Sequence, residues 1–445
     1  VRRLATIVFA LSASFAFASD PSHELITRTA LHQERVSALR GLPFLADVEV
    51  AVEPPHVMRE KMEEDLREEV SEADLAGLVF AWAQLGLAPP DLPLFDILLA
   101  VLEEAVGGYY SPKERRLVIV DRRDEPSLDG ARSGHEDMVI AHELVHALQD
   151  QHFDLDAMTQ RELGDGDVDT ALKSLFEGDA SYAMLFAMVP NPDAIPLRRM
   201  MSVLGGLGIP TTTDGTDQLS TAPRALTGPL TFPYVQGLMF AQDLKLSGTD
   251  WSAVDAAYAA PPLSTEQILH PEKYIGPNVD WPTLIRFEDA QDWMGPRWDL
   301  AEMDTLGEAG VSLLFQEHFP TLPSVNFGRG WDGDRLAVWR RGDRGVVMWL
   351  TIWDSPIDAD DFTDMAFDLV RKLRPNAVWE REDGLIQGRE RGLRHRIDRE
   401  DLRIGVYLSV PKRQLQRLRR HAATATYREV RTLDEIAPYE PDGQP

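Results

Sequence analysis

The chain has 445 residues, with 45 Lys and Arg against 73 Asp and Glu and a formal net charge of −28. That length supports two or three domains with full apolar cores, the ordinary apolar and charged fractions argue against disorder, and the negative charge excludes nucleic acid as the main partner. There is no cysteine, which excludes disulfides, thiolate ligands and a lipid-bearing cysteine, so any metal site must use His, Asp or Glu.

The first twenty residues read VRRLATIVFALSASFAFASD. Arg2 and Arg3 lead an apolar run from Leu4 to about Phe17, and Ala16-Phe17-Ala18 is a small-x-small cleavage pattern. This predicts a signal peptide over residues 1–18, an exported protein (periplasm or extracellular), and no transmembrane span after cleavage. Ser19 to Ala51 is weakly patterned. Helices are predicted over 56–70, 72–87 and 93–106, the last closed by Gly107 and Gly108. The turn residues Ser111-Pro112-Lys113 precede a β-branched run, Leu117 to Val120, which reads as a strand. Ser133 and Glu136 fit a capping box opening a helix from about Gly134 to His152. A polar link over 162–170 leads into a helix over 171–189. Residues 190–233 are rich in Gly, Pro and Thr and predict loops with a short helix or two, followed by a helix over 234–246.

Near Pro320 the composition changes. Strands are predicted over 334–342, 344–354, 376–382, 384–391 and 402–410, with a helix over 359–373. Helix amid antiparallel strands indicates a C-terminal α+β module over 322–445, following a mainly helical domain over 19–321. The tryptophans of the module read as core, and the arginines from Arg389 to Arg431 as a solvated face. An accessory role is expected for it.

The stretch DMVIAHELVHALQDQHF carries His142, Glu143 and His146. Histidines four apart lie one turn apart on one helix face, so both imidazoles can reach a single ion. Glu143, one position round, is placed to act as a general base without ligating. Zinc lowers the pKa of a bound water toward ~7, and a carboxylate then takes its proton. The flanks Ile140, Ala141, Leu144, Val145, Ala147 and Leu148 are apolar, and a buried stripe of two His and one Glu would be costly without a partner such as a metal.

A catalytic zinc needs a third ligand and an open position. The best candidate is Glu177 in SLFEGDASYAM. Gly178 beside it costs a helix about 1 kcal/mol relative to Ala, which makes sense if another backbone passes close by. Asp179 is a rival ligand or a partner for a histidine, and Asp150 another such partner. Asp165 to Asp169 lacks the glycine of a calcium loop and reads as acids at a helix N-terminus.

His142-Glu143-Leu144-Val145-His146 with the later Glu177-Gly178-Asp179-Ala180 resembles the gluzincins, the zincin clan that includes thermolysin-like peptidases. The resemblance covers about Gly107 to Tyr274. It implies an α+β, mainly helical zincin-like domain with a small edge sheet, Zn2+ held by His142, His146 and Glu177, and Glu143 as base. The chain departs from the thermolysin family in the longer gap between His146 and Glu177, and in having Ser181 where an Asp would stand. The resemblance is thus to the clan and not to the thermolysin family, as of a separate bacterial branch with the same core. In such enzymes an edge strand before the metal helix lies along the cleft, and Leu117 to Val120 resembles it; its backbone would pair with an extended peptide.

A developing oxyanion needs a donor. His270 in STEQILHPEKY and Tyr234 in TFPYVQGLMF are the two candidates, with His270 ahead. The expectation is an exported zinc metallopeptidase acting on peptide or protein substrates, with Glu143 and His270 catalytic. Its alternatives are a non-catalytic envelope binding protein with a structural or vestigial zinc site, and a zinc hydrolase of non-peptide amides or esters.

Overall fold

The computed structural model describes residues 22–122, 131–159, 161, 163–188, 218–321, 327–382 and 384–436; the expected signal peptide lies outside them. The protein is mixed α+β. In chain order its main elements are α1 His23–Arg40, β1 Glu49–Glu53, α2 Pro55–Glu69, α3 Glu72–Gln84, α4 Leu94–Ala105, β2 Gly108–Ser111, β3 Arg116–Val120, α5 Ala131–Phe153, α6 Gly166–Met188, α7 Arg224–Leu246, α8 Ser252–Ala259, β4 Thr283–Arg286, β5 Asp299–Asp304, α9 Gly307–His318, β6 Trp331–Arg341, β7 Arg344–Trp353, α10 Pro356–Leu373, β8 Val378–Glu382, β9 Leu385–Glu390, β10 Leu393–Glu400, β11 Arg403–Pro411, α11 Leu415–Ala422 and β12 Thr426–Glu429. Among the described residues no helix is long and apolar enough to cross a membrane.

The first half is a helical body carrying a three-stranded sheet in the order β1-β3-β2, with β1 parallel and β2 antiparallel to β3. α1, in the weakly patterned region, starts on Ser22, whose hydroxyl accepts from the Leu25 N–H at 3.2 Å, and stops at Gly41 in the left-handed region. α5 begins at Ala131, so Ser133 lies inside its first turn rather than at its cap. Arg28 of α1 holds the second turn of α5 through Asp137, at 2.6 Å, and Glu136. α7 begins ten residues before the expected start and runs through Pro229 and Pro233. Each proline forgoes one backbone bond, and packing against α6 overrides the local preference.

The second half is a seven-stranded antiparallel sheet, β5-β6-β7-β11-β10-β9-β8. Both faces are covered, which is why its central strands read as continuous apolar runs. On one face Leu336, Val338, Val347 and Trp349 pack against α10 and α9; on the other Ala337, Trp339, Val346 and Met348 pack against Trp293 and Leu418. Trp331, Trp339, Trp349 and Trp353 are all buried core.

The expected division at 321/322 does not separate two packed bodies. β5 enters the sheet from upstream of it. α3 places Ala81 and Leu85 in the same core as the sheet, and its Gly77 lies so close to the Ala301 carbonyl that a Cβ would stand 2.2 Å from the oxygen. In return, Val430, Leu433 and Ile436 pack into the helical core of the first half. Sequence proximity hid these long-range exchanges.

Candidate metal centre

The centre is made by two long buried helices. Ile140, Ala141, Leu144, Val145, Ala147 and Leu148 of α5 are all essentially inaccessible. Their packing fixes the rotation of α5, so His142 and His146 face α6. Glu177 projects from α6 to meet them. The next residue, Gly178, lies on Gly237 of α7: a Cβ at 178 would stand 2.1 Å from the Gly237 carbonyl oxygen, and one at 237 would stand 2.1 Å from the Ser174 oxygen. The backbone expected beside Gly178 is therefore α7, and the glycine pair lets it pass.

His142 Nε2 stands 3.1 Å from Glu177 Oε2 and 3.1 Å from His146 Nε2, and His146 Nε2 is 3.5 Å from the same Glu177 oxygen. Three ligands each about 2.0–2.1 Å from a tetrahedral centre lie about 3.3 Å from one another. The three atoms are thus spaced as ligands of one tetrahedral ion would be, and two imidazoles with one carboxylate form a donor set that could hold zinc. The three residues are 8, 5 and 4 % exposed. Burial opposes charge on His146, but the Glu177 carboxylate outweighs it and lifts the imidazole to about 9. Burial likewise opposes charge on Glu177, and the histidines outweigh it, holding the carboxyl at about 2.

Behind the triad, His146 Nδ1 meets Gln149 Oε1 at 2.8 Å. Gln149 Nε2 donates to the Phe176 carbonyl at 2.9 Å and to Asp179 Oδ2 at 3.2 Å. Asp179 in turn accepts from Arg40 Nε at 2.8 Å and from the Tyr258 hydroxyl at 2.8 Å. Asp179 is therefore no ligand; it reaches His146 through Gln149. Asp150 does not touch the triad, since it accepts the Tyr110 hydroxyl at 2.9 Å. Gln149, Arg40 and Tyr258 escaped the sequence reading. Gln149 alone had a local signal, lying one turn from His146 on the same face.

Glu143 Oε2 accepts the Tyr110 N–H at 2.9 Å, and burial raises its pKa. Tyr234 of α7 stacks on the His142 ring, 6.1 Å between centroids and 28° between planes. Burial, with the nearby Glu177 and Glu143 carboxylates, pushes the pKa of its hydroxyl well up, so it stays a neutral donor. Lys173, one turn before Glu177, has a buried ammonium without a hydrogen-bond partner among the described residues; burial lowers it to about 8.

Two expectations are corrected. His270 is not at the centre: its Nε2 lies 3.0 Å from Glu308 Oε1, in the wall of a cavity lined by none of His142, Glu143, His146 and Glu177. It caps the short helix Thr265–Leu269, whose packing on α9 turns it away. Leu117 to Val120 is not an edge, because β3 is central and pairs on both sides. The strand beside Glu143 is β2. Val120 donates to Gly107 at 3.0 Å, so by antiparallel alternation the peptide groups of Gly108 and Tyr110 point away from β3.

Compared with known proteins, the chain shows one match. A family described as a domain of unknown function, DUF8575, matches residues 298–419, a span from β5 into α11 that contains none of the triad. No curated protein and no solved structure matches the chain.

Proposed function

We propose that this protein is an exported zinc-dependent peptidase of gluzincin type, with a zincin-like helical body as its catalytic half. The observation that carries the reading is the convergence of His142 Nε2, His146 Nε2 and Glu177 Oε2 within 3.1–3.5 Å of one another beside a carboxylate, Glu143, that ligates nothing. His142, His146 and Glu177 would hold the ion, which when bound supplies Lewis-acid polarisation of a carbonyl and acidification of water.

The chain's own residues do the rest. The Tyr110 N–H fixes Glu143 through Oε2, leaving Oε1 to take the proton of the attacking water and to pass it to the leaving amine. Burial raises the pKa of Glu143, the direction that suits a group that both accepts and returns a proton. Tyr234, kept protonated by burial, supplies an O–H donor for charge developing on the carbonyl oxygen. The outward N–H and C=O of Gly108 and the C=O of Tyr110 offer an extended substrate backbone a partner, which favours peptides over sugars or phosphate esters. The N-terminal segment, with its charged start, apolar run and small-x-small end, supports action outside the cytoplasm.

The test is elemental analysis of the purified chain combined with Glu143→Gln and His146→Ala. One zinc per chain is expected in the wild type and in Glu143→Gln. Glu143→Gln should lose about 100- to 10,000-fold in peptide hydrolysis, and His146→Ala should lose the metal. A panel of peptides, esters and non-peptide amides separates a peptidase from another hydrolase. Wild-type protein that takes up no zinc, or full activity in Glu143→Gln, sinks the reading.

A further inference from the structure

A cavity of about 910 Å³ opens between β4, β6, α11 and the segment Leu163-Gly164-Asp165. β4 crosses β6 closely, since a Cβ on Gly333 would stand 2.0 Å from the Thr283 carbonyl oxygen. Just beyond the crossing, Arg335 of β6 and Arg286 of β4 both line the cavity. α11 adds Arg417 and His421, and the His421 ring stacks on Trp293 with 5.0 Å between centroids and 15° between planes. Phe287 and Met303 supply more apolar wall. A cavity of this size is in the range that holds a small-molecule ligand.

Arg335 is held through one guanidinium nitrogen. Its Nη1 donates to the Gly164 carbonyl at 3.0 Å and to the Thr305 hydroxyl at 3.2 Å, and Asp165 Oδ2 lies 4.0 Å away. Among the described residues Nε and Nη2 donate to nothing, yet neither is shut away from solvent, and the side chain keeps 9 % of its surface open. Burial lowers the pKa of the half-buried Arg286; Arg335 and Arg428 lower it further, and only Asp165 opposes them. Burial also lowers His421, reinforced by Arg417 and Arg420, with no acid opposing. Both positions therefore sense excess positive charge, in a chain whose net charge is −28. The lining acids do not cancel it. Asp165 is spent on the Asp167 and Val168 N–H groups and the Thr305 hydroxyl, while Glu288, Asp289 and Asp292 are exposed and act on neither Arg286 nor His421.

We propose that this cavity binds a phosphomonoester, its phosphate held by Arg335 and Arg286 and its organic part against Phe287, Met303 and the Trp293–His421 stack. A guanidinium fork matches two phosphate oxygens, and an anion between the two cations relieves their repulsion. A phosphate carries a charge of about −1.5 to −2 at neutral pH, so it gains more here than a singly charged carboxylate. The phosphate can come from a soluble ester or from a lipid headgroup. The site shares no residue with the triad and its ligand is read by binding alone, so it stands or falls independently of the peptidase reading.

The test titrates the full chain in phosphate-free buffer, by calorimetry, with phenyl phosphate, benzoate, and dihexanoyl phosphatidic acid below its micelle concentration. Phenyl phosphate should bind one to one and at least about tenfold more tightly than benzoate. Arg335→Lys, which keeps the charge and loses the fork, and Arg286→Gln should each weaken it about tenfold. Thermal unfolding of the ligand-free variants shows that they fold; because Arg335 also ties down Gly164, Arg286→Gln decides if Arg335→Lys does not. Arg67→Gln, on α2 and paired with Glu63, is the control and should bind as the wild type does. Tighter binding of the phosphatidic acid assigns the phosphate to a lipid headgroup, and tighter binding of phenyl phosphate to a soluble ester. No saturable binding of either phosphate, equal affinity for phenyl phosphate and benzoate, undiminished binding to Arg286→Gln, or the same loss in Arg67→Gln would overturn the proposal.

Discussion

Gly178→Ala tests whether the helix crossing at Gly178 and Gly237 sets the metal geometry. The added Cβ would lie 2.1 Å from the Gly237 carbonyl oxygen and 2.2 Å from its carbonyl carbon, where carbon atoms in contact sit at about 3.5–4.0 Å. α6 and α7 must therefore separate by about 1 Å or more. Alanine recovers about 1 kcal/mol of helix propensity, while forcing a methyl into a packed core costs about 1–3 kcal/mol. With both contacting atoms in backbone, the loss falls at the upper end, and the variant should be net destabilised by about 1–2 kcal/mol. Glu177 is the adjacent residue, and ligand distances in metal sites hold to about 0.2 Å. A shift several times larger should lower zinc affinity at least about tenfold. The assay is a zinc competition titration against a chromophoric chelator, with thermal unfolding of the metal-free chain alongside. Gly134→Ala is the control, since it sits on α5 with nothing near its would-be Cβ, and it should leave both readings unchanged or slightly improved. If Gly178→Ala binds zinc as the wild type does and melts at the same temperature, the crossing does not set the geometry.

Further outcomes follow from the residues around the centre and beyond it. Arg40→Met strips Asp179 of its cation where the two side chains are 1 and 0 % exposed; breaking such a pair costs about 3–5 kcal/mol, readable as a drop in urea midpoint, with a weakened zinc affinity relayed through Gln149. Tyr234→Phe should retain the metal while lowering kcat roughly 100-fold, and steady-state kinetics with an unchanged kcat would remove the donor role. His395, distant from the triad, is 1 % exposed, and burial, reinforced by Arg374 and Arg394, pushes it down to about 4. A base depressed in the folded state contributes stability above its unfolded pKa of about 6.5 and loses it as pH falls through about 4, a span worth roughly 3 kcal/mol. His395→Asn, which keeps an acceptor for the Ser409 N–H, should flatten urea stability between those pH values; an unchanged slope would refute the assignment.

What was legible in the sequence was what helices encode locally. His142 and His146 four apart, an apolar surround, and a glycine beside Glu177 each report a short-range property, and α5 and α6 bring them together as the spacing implies. Arg40 and Tyr258 reach Asp179 from 139 and 79 residues away, and nothing local marks them. Tyr234 and His270 both lay in plausible donor positions; only the packing of α7 on α6, and of the Thr265–Leu269 helix on α9, decides between them. The same limit explains the sheet. Strands β6, β7 and β11 announce themselves by β-branched and aromatic runs, whereas β10, with the sequence LRHRIDRE, hides as a charged segment because one side of it is solvated, and β5 was lost because its pairing partner lies beyond α9.

The hydrogen bonds behind His146 determine which of its nitrogens can bind an ion. Gln149 faces two acceptors, the Phe176 carbonyl and Asp179 Oδ2, so that end of the amide must be its NH2, and Oε1 must face His146. An acceptor 2.8 Å from Nδ1 requires the imidazole proton there, which leaves the Nε2 lone pair directed at His142 and Glu177. Without an ion, the Glu177 charge favours a proton on that lone pair and lifts the His146 imidazole to about 9. A divalent cation, if held by His142, His146 and Glu177, would compete for the same electrons. A neutral amide in this position also matters electrostatically. A carboxylate directly on His146 would add negative charge beside Glu177, whereas here the charge of Asp179 sits one residue further back and is already balanced by Arg40.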